Sequence, residues 1–441
     1  MLCRVLCVLL FLAWTGEWPR EIDSVLYSGF WRSPFQFFGP LFAPLPGIRL
    51  FTWQLILIAL APVCLAWPGA FRRRAWAMDA AILTSIASIA LTFMWGWMRG
   101  GAAYQAYYQL WRFLAALLMG VLLLSVIRTS RDLKALGVTM VVAALVRGTL
   151  VMYFYWVHVY DRIVPAPEYM TNHDDSLLFV AGILIVVSWA LARGRRSAWL
   201  AAVLVSAHQL YAIVLNNRRL AWVQLLLAFG LAYVLLDPRW RRRVNRWLVV
   251  VAPLVVLYVA VGWGRQGAVF APVQALATTG SDEDPSSLGR QEEVRNLLHT
   301  LSVTGNPLLG TGWGVPYQKR TSAYANYAAE WVLALYTPHN SILGLAVFAG
   351  LAGLCGIWLV VPVAAFLAAG GYRRSTHAID RAAALTAVCI LPAYGAQCYG
   401  DIGIQSFTCG LILGVVLAVA GKVSAWAAVP VRGAKSGGGP R

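Results

Sequence analysis

Charge is what this chain has least of. Charged residues make up 12% of its 441 positions, about half the share usual in soluble domains. Acidic charge is scarcer still, with 18 Asp and Glu against 36 Lys and Arg. A water-soluble core cannot absorb the apolar surface that remains, so a soluble fold is excluded. The seven cysteines, at 3, 7, 64, 355, 389, 398 and 409, form no C-x-x-C and no metal-ligand spacing. Nearly all lie in apolar runs, where cysteine is a small buried hydrophobe. No G-K-[ST] follows the glycine-rich stretch and no βαβ pattern surrounds it, which excludes a nucleotide loop. No cofactor and no metal are expected. The net charge of +18 collects in short loops and not in a basic stripe interleaved with exposed aromatics, so it reads as membrane topology and not as nucleic-acid binding.

What the chain has is apolar length. It is 60% hydrophobic, with a mean hydropathy of +0.66. A bilayer-spanning helix needs ~20 apolar residues. About twelve spans are predicted, near 1–15, 49–67, 77–98, 109–127, 135–156, 176–192, 197–215, 219–236, 247–263, 340–368, 383–398 and 403–425. The expected fold is an all-α polytopic membrane protein. Helices one to nine fill 1–263, a long loop with amphipathic helices fills 264–339, helices ten to twelve fill 340–427, and a disordered tail fills 428–441. The N-terminal run has no A-x-A site, so it reads as a first anchor. Every second loop is basic, as at Arg72-Arg73-Arg74, Arg193–Arg196 and Arg373-Arg374. By the positive-inside rule these loops are cytoplasmic. The acids fall mostly in the other loops, which puts the long loop outside, in the periplasm if the cell is Gram-negative.

That loop, from Gly264 to Asn340, is a polar island. Ser286 or Ser287 can cap a helix with Glu292 and Glu293 early in it. Val294, Leu297, Leu298 and Leu301 recur at helical spacing. At about 100° per residue, Arg290 shares the face of Val294, Leu297 and Leu301, and Arg295 points away. An arginine there either snorkels to lipid phosphate or holds a ligand anion. The stretch GNPLLGTGWG follows, with Gly310, Gly312 and Gly314 permitting a tight turn and close backbone approach. Then comes Pro338-His339-Asn340 at the mouth of span ten, where His339 is either an interfacial histidine or a base.

Asn216-Asn217-Arg218-Arg219 forms a very short outer turn. Two arginines there run against the positive-inside rule. Guanidinium forks match phosphate oxygens, supplied by a diphosphate ligand or by surface phospholipid. Arg147 lies inside span five, and an intramembrane charge is a functional candidate by default. His173-Asp174-Asp175 either caps span six or serves a site. His208 and Tyr211 lie about a turn apart on span seven, as a bonded core pair or as a site. Asp282-Glu283-Asp284 reads as a solvated acidic loop.

The ordered set NNRRLAW, SSLGRQEEVRNLL, NPLLGTGWG and PHNSILGLAVFAGLAGL resembles the O-antigen ligase and O-antigen (polysaccharide) polymerase family, best over about 216–354. The resemblance implies a C-type glycosyltransferase-like enzyme of the bacterial inner membrane, with its active site facing the periplasm. It implies inverting, metal-independent transfer of a glycan from undecaprenyl diphosphate to lipid A-core sugar, or to another lipid-linked repeat unit for a polymerase of O-antigen or exopolysaccharide. By the same resemblance His339 activates or orients the acceptor hydroxyl, and Arg218 and Arg290 hold the diphosphate. Arg219 beside Arg218 leaves open which of the two makes contact. Asn340, Asn217, Arg147, His173 and Asp174 are supporting candidates. A secondary transporter and a scaffold are the rival classes. Against a transporter stand the length of the loop and the lack of a repeat between halves. A scaffold leaves Arg290 and the Arg218-Arg219 pair unexplained.

Overall fold

A computed structural model describes residues 1–16, 40–45, 48–70, 74–161, 170–265, 270, 273–274, 285–304, 306–320 and 335–428. Within them the apolar runs fold as helices. These are α1 (Leu2–Gly16), α2 (Thr52–Ala66), α3 (Trp76–Met98), α4 (Ala103–Val126), α5 (Ser130–Phe154, extended by a π-helical turn, Tyr155–Val159), α6 (Asp175–Arg193), α7 (Arg196–Leu215), α8 (Arg219–Leu235) and α9 (Pro238–Gly262). After them come α10 (Pro285–Thr304), α11 (Ser341–Leu351), α12 (Val360–Arg374), α13 (Ala378–Gly400) and α14 (Phe407–Ala427). Among the described residues, nine helical segments are long and apolar enough to cross a membrane, and α1, the apolar part of α2, and α8 are shorter. Together they correspond to the twelve predicted spans, and the chain is an all-α multi-pass membrane protein. A two-stranded antiparallel hairpin, β1 (Pro40–Leu45) with β2 (Ile48–Phe51), departs from that pattern. Its prolines at 40, 44 and 46 discourage a strand reading of the sequence.

Helix α14 is the hub. It is apolar all round, which marks a helix enclosed by others, and every residue from Phe407 to Ser424 is buried. It packs on α4, α12 and α13. Gly410-x-x-x-Gly414 lets the backbones close in, since a Cβ at Gly414 would stand 2.6 Å from the Ala116 carbonyl oxygen of α4. Small residues at this spacing serve that purpose in membranes. Between α5 and α6, Arg147 and Asp175 form a two-pronged ion pair at 3.1 and 2.5 Å, each about 1% exposed. Helix α9 is the opposite case, with no buried residue but Gly262. Its apolar residues from Trp247 to Val261 are largely exposed, as suits a helix at the edge of a membrane bundle.

Span ten is predicted as one glycine-rich helix, and the structure corrects this. Helix α11 opens near Gly350 (φ 56°, ψ −146°), and a π turn (Ala352–Gly356) and a 3₁₀ turn (Ile357–Leu359) lead into α12. The glycine-rich turn fills the opening by an exchange of hydrogen bonds. In an unbroken helix the amides of Leu351 and Ala352 donate to the carbonyls of Val347 and Phe348. Here those amides donate to Pro307 and Leu308, both at 2.9 Å. The freed carbonyls accept from Thr311 (2.8 Å) and Gly312 (2.9 Å). These four backbone groups keep a partner across the break, as interrupting a helix at membrane depth requires. Helix α3 holds the turn from behind. Trp95 Nε1 donates to Gly310 O (3.1 Å), and Trp313 Nε1 donates to Thr92 Oγ1 (2.8 Å).

Candidate active site

The ends of α6, α7, α8, α11 and α13 remote from the basic loops meet with α10 at one rim of the bundle. Helix α10 starts at Pro285, earlier than the Ser286 or Ser287 cap predicts, because proline suits a first helical turn. Its buried face is Asn296, Leu297 and Thr300, with Val294 and Leu301 half-buried beside them. Asn296 Oδ1 accepts from the amide of Arg320 (2.9 Å) and Thr300 Oγ1 from that of Gln318 (2.8 Å). These bonds stitch the helix to the chain leaving the glycine-rich turn. Arg290 is one turn further out and exposed.

The stitching brings Glu293 to His339. The carboxylate takes His339 Nδ1 at 2.9 Å and the amide of Asn340 at 3.3 Å. The His339 side chain is 52% exposed and that of Glu293 13%, so the imidazole is open to a substrate while its partner is sheltered. The hydrogen bond to Glu293 raises the His339 pKa above its ordinary value, against the effect of burial. The charges of Glu293 and Asp401 add to the rise, and the charge of Arg290 opposes it. Asn340 is committed locally: its Oδ1 caps α11 by accepting from Leu343 N (2.9 Å).

A second histidine–carboxylate pair lies beside the first. His173 Nδ1 is 2.7 Å from Asp401 Oδ2. Burial pushes the Asp401 carboxyl up, but the His173 hydrogen bond and the charges of His173 and His339 outweigh it and hold the pKa at about 2. The two pairs are joined through Ser341, whose Oγ donates to the Asp401 carbonyl (3.2 Å).

The arginine turn borders the same rim. Asn216 Oδ1 accepts from the amides of Met170 (3.0 Å) and Thr171 (2.9 Å), tying the turn to the segment that carries His173. Asn217 adopts φ 48°, a left-handed conformation that asparagine tolerates. Arg218 then opens α8 and is buried, whereas Arg219 is exposed. Leu220 packs on Gly400, next to Asp401.

Other candidates stand apart. Arg147 is deep in the bundle with Asp175. Asp174 occupies the position before α6 without a capping side-chain bond. His208 meets Thr149 (3.1 Å) and Tyr211 accepts from Trp156 (2.9 Å), so the two are not each other's partners. Asp282, Glu283 and Asp284 lie outside the described residues. Two groups at the rim, Glu293 and Asp401, carry no functional signal in the sequence beyond being outer acids. Their histidine partners are remote in the chain.

No curated protein matches the chain. The matched family supports a ligase- or polymerase-type role in O-antigen assembly. The segment from α7 through the arginine turn, α10, the glycine-rich turn and His339 to the break in span ten is the segment that a family model covers: residues 204–358 match Wzy_C, described as O-antigen ligase.

Proposed function

We propose that this protein is an inverting membrane glycosyltransferase of the O-antigen ligase type. It moves a glycan from undecaprenyl diphosphate to a sugar hydroxyl of lipid A-core at the periplasmic rim, without a metal ion. The observation that carries the reading is the His339–Glu293 pair, with Arg290 one turn away on the helix that supplies Glu293.

In this reading Glu293 accepts the Nδ1 proton of neutral His339, which leaves Nε2 free to take the proton of the acceptor hydroxyl. The alkoxide attacks the anomeric carbon on the face opposite the diphosphate. The bond to the diphosphate oxygen breaks, the leaving group carries off the electron pair, and the configuration inverts. Arg290 and Arg218 or Arg219 neutralise the charge that grows on the diphosphate as the bond breaks. The imidazolium left behind is stabilised by Glu293. A carrier has less support, because Arg147 is bound in an ion pair with Asp175 and His208 is hydrogen-bonded to Thr149.

The test is transfer by purified protein from undecaprenyl-diphosphate-linked oligosaccharide in EDTA, with and without lipid A-core. Product that requires the core is expected. Longer lipid-linked chains without it would reassign the protein as a polymerase, and no product with either acceptor would overturn the proposal.

The pKa of His339 gives a further expectation. A base must be neutral, so activity rises as pH climbs through the raised pKa and falls below it. Glu293→Gln removes the main cause of the rise. The acid limb of the pH–rate profile therefore moves to lower pH while the maximal rate drops. An acid limb unmoved in Glu293→Gln would show that His339 is not the titrating group.

A further inference from the structure

Away from the rim, an apolar groove of about 410 Å³ lies between α5, α6, α13 and α14. Val138, Trp189, Ile390 and Val416 line it, small residues such as Gly137 and Ala383 keep it open, and Lys134 stands at its end. It belongs to the basic end of the bundle, because α5 and α13 both begin there and α6 finishes there at Arg193. From Ile379 to Ile390 it runs roughly 16 Å at about 1.5 Å per residue, about half the depth of a ~30 Å hydrocarbon core. The groove is therefore one leaflet deep.

The charges at its mouth are mainly positive. Lys134 is exposed, and Arg131, one turn earlier, is exposed as well. The nearby acids are engaged. Asp132 accepts from the amides of Arg128 (3.0 Å) and Thr129 (2.9 Å), and Asp380 faces His377 at 3.5 Å. The N-termini of α5 and α13 add partial positive charge. Depth and charge together favour a lipid: a groove one leaflet deep takes one acyl chain, and the exposed Lys134 and Arg131 at its mouth suit an anionic headgroup.

We propose that the groove binds an anionic diacyl glycerophospholipid of the leaflet at the basic end, with one acyl chain in the groove and the phosphate at Lys134. The test is native mass spectrometry of delipidated full-length protein titrated with phosphatidylglycerol and with phosphatidylethanolamine of the same chains. Tighter retention of phosphatidylglycerol is expected. Lys134→Gln, at an exposed site, should weaken it about five-fold, the worth of one basic side chain at an anionic surface, and leave phosphatidylethanolamine unchanged. Ala383→Trp, which fills the groove, should remove both. Equal retention of the two lipids by the wild type, or phosphatidylglycerol binding unchanged in both variants, would overturn the proposal. So would a protein dimer that Ala383→Trp dissociates, which would assign the groove to a second copy of the chain.

Discussion

Replacing His339 with alanine lowers glycan transfer by about two to four orders of magnitude, the usual worth of a positioned base, and leaves donor binding intact. The separation of the two effects follows from the geometry. The His339 side chain is half exposed at the mouth of α11, so its loss opens no deep cavity. The cap of α11 is made by Asn340, and the glycine-rich turn is held by α3 and α11. The variant should therefore stay folded, with the sheltered Glu293 carboxylate still held by the amide of Asn340. Single-turnover transfer together with binding of labelled lipid donor would measure both quantities. Arg290→Ala should differ by weakening donor binding as well as the rate, because a guanidinium on the diphosphate acts before and during bond cleavage. A purified His339→Ala protein with near wild-type turnover would falsify the assignment of the base. The proton would then have to leave through another group at the rim, and His173, paired with Asp401, is the next candidate.

The helices were legible because their signal is apolar length, which neither neighbours nor ligands alter. The twelve spans, the helix carrying Arg290 and the helix start at Asn340 all follow from local pattern. What the sequence concealed is of another kind. Glu293 and His339 are 46 positions apart, and an acid near the start of an amphipathic helix is ordinarily explained by the helix dipole. Asp401 reads as an outer-loop acid until His173 is seen beside it. The break in span ten leaves no mark in hydropathy, because backbone groups make the exchange and the side chains there stay apolar. The glycines of GNPLLGTGWG point to close approach, but not to the helix they approach. Burial separates Arg218 from Arg219, and burial depends on how α8 leaves the Asn216 turn.

Gly96→Ala should collapse the protein, with a destabilisation above about 4 kcal/mol, the range reserved for a few severe mechanisms and a large part of a typical stability of ~5–15 kcal/mol. A Cβ at Gly96 would stand 2.1 Å from the Trp313 carbonyl oxygen and 2.6 Å from its amide nitrogen. Both are backbone atoms and cannot rotate away. Gly312→Ala should do the same from the opposite side, since its Cβ would meet Gly96 Cα at 2.2 Å with φ at +88°. Any relief must displace the turn from its seat between α3 and α11, and a displaced turn loses its four hydrogen bonds to the break in span ten. Carbonyls of Val347 and Phe348 and amides of Leu351 and Ala352 would be left without partners inside the bilayer, where each such group costs several kcal/mol. Gly230→Ala is the matched control, because nothing lies within 4 Å of a Cβ there and alanine suits a helix better than glycine. Thermal unfolding in detergent should show Gly230→Ala at or slightly above the wild type and Gly96→Ala far below it. Equal melting of all three would mean that the turn is not seated in the helix break. The consequence reaches the rim: the break fixes α11, α11 presents His339 at its first turn, and an unseated turn would separate His339 from Glu293 with every side chain at the rim still in place in the sequence.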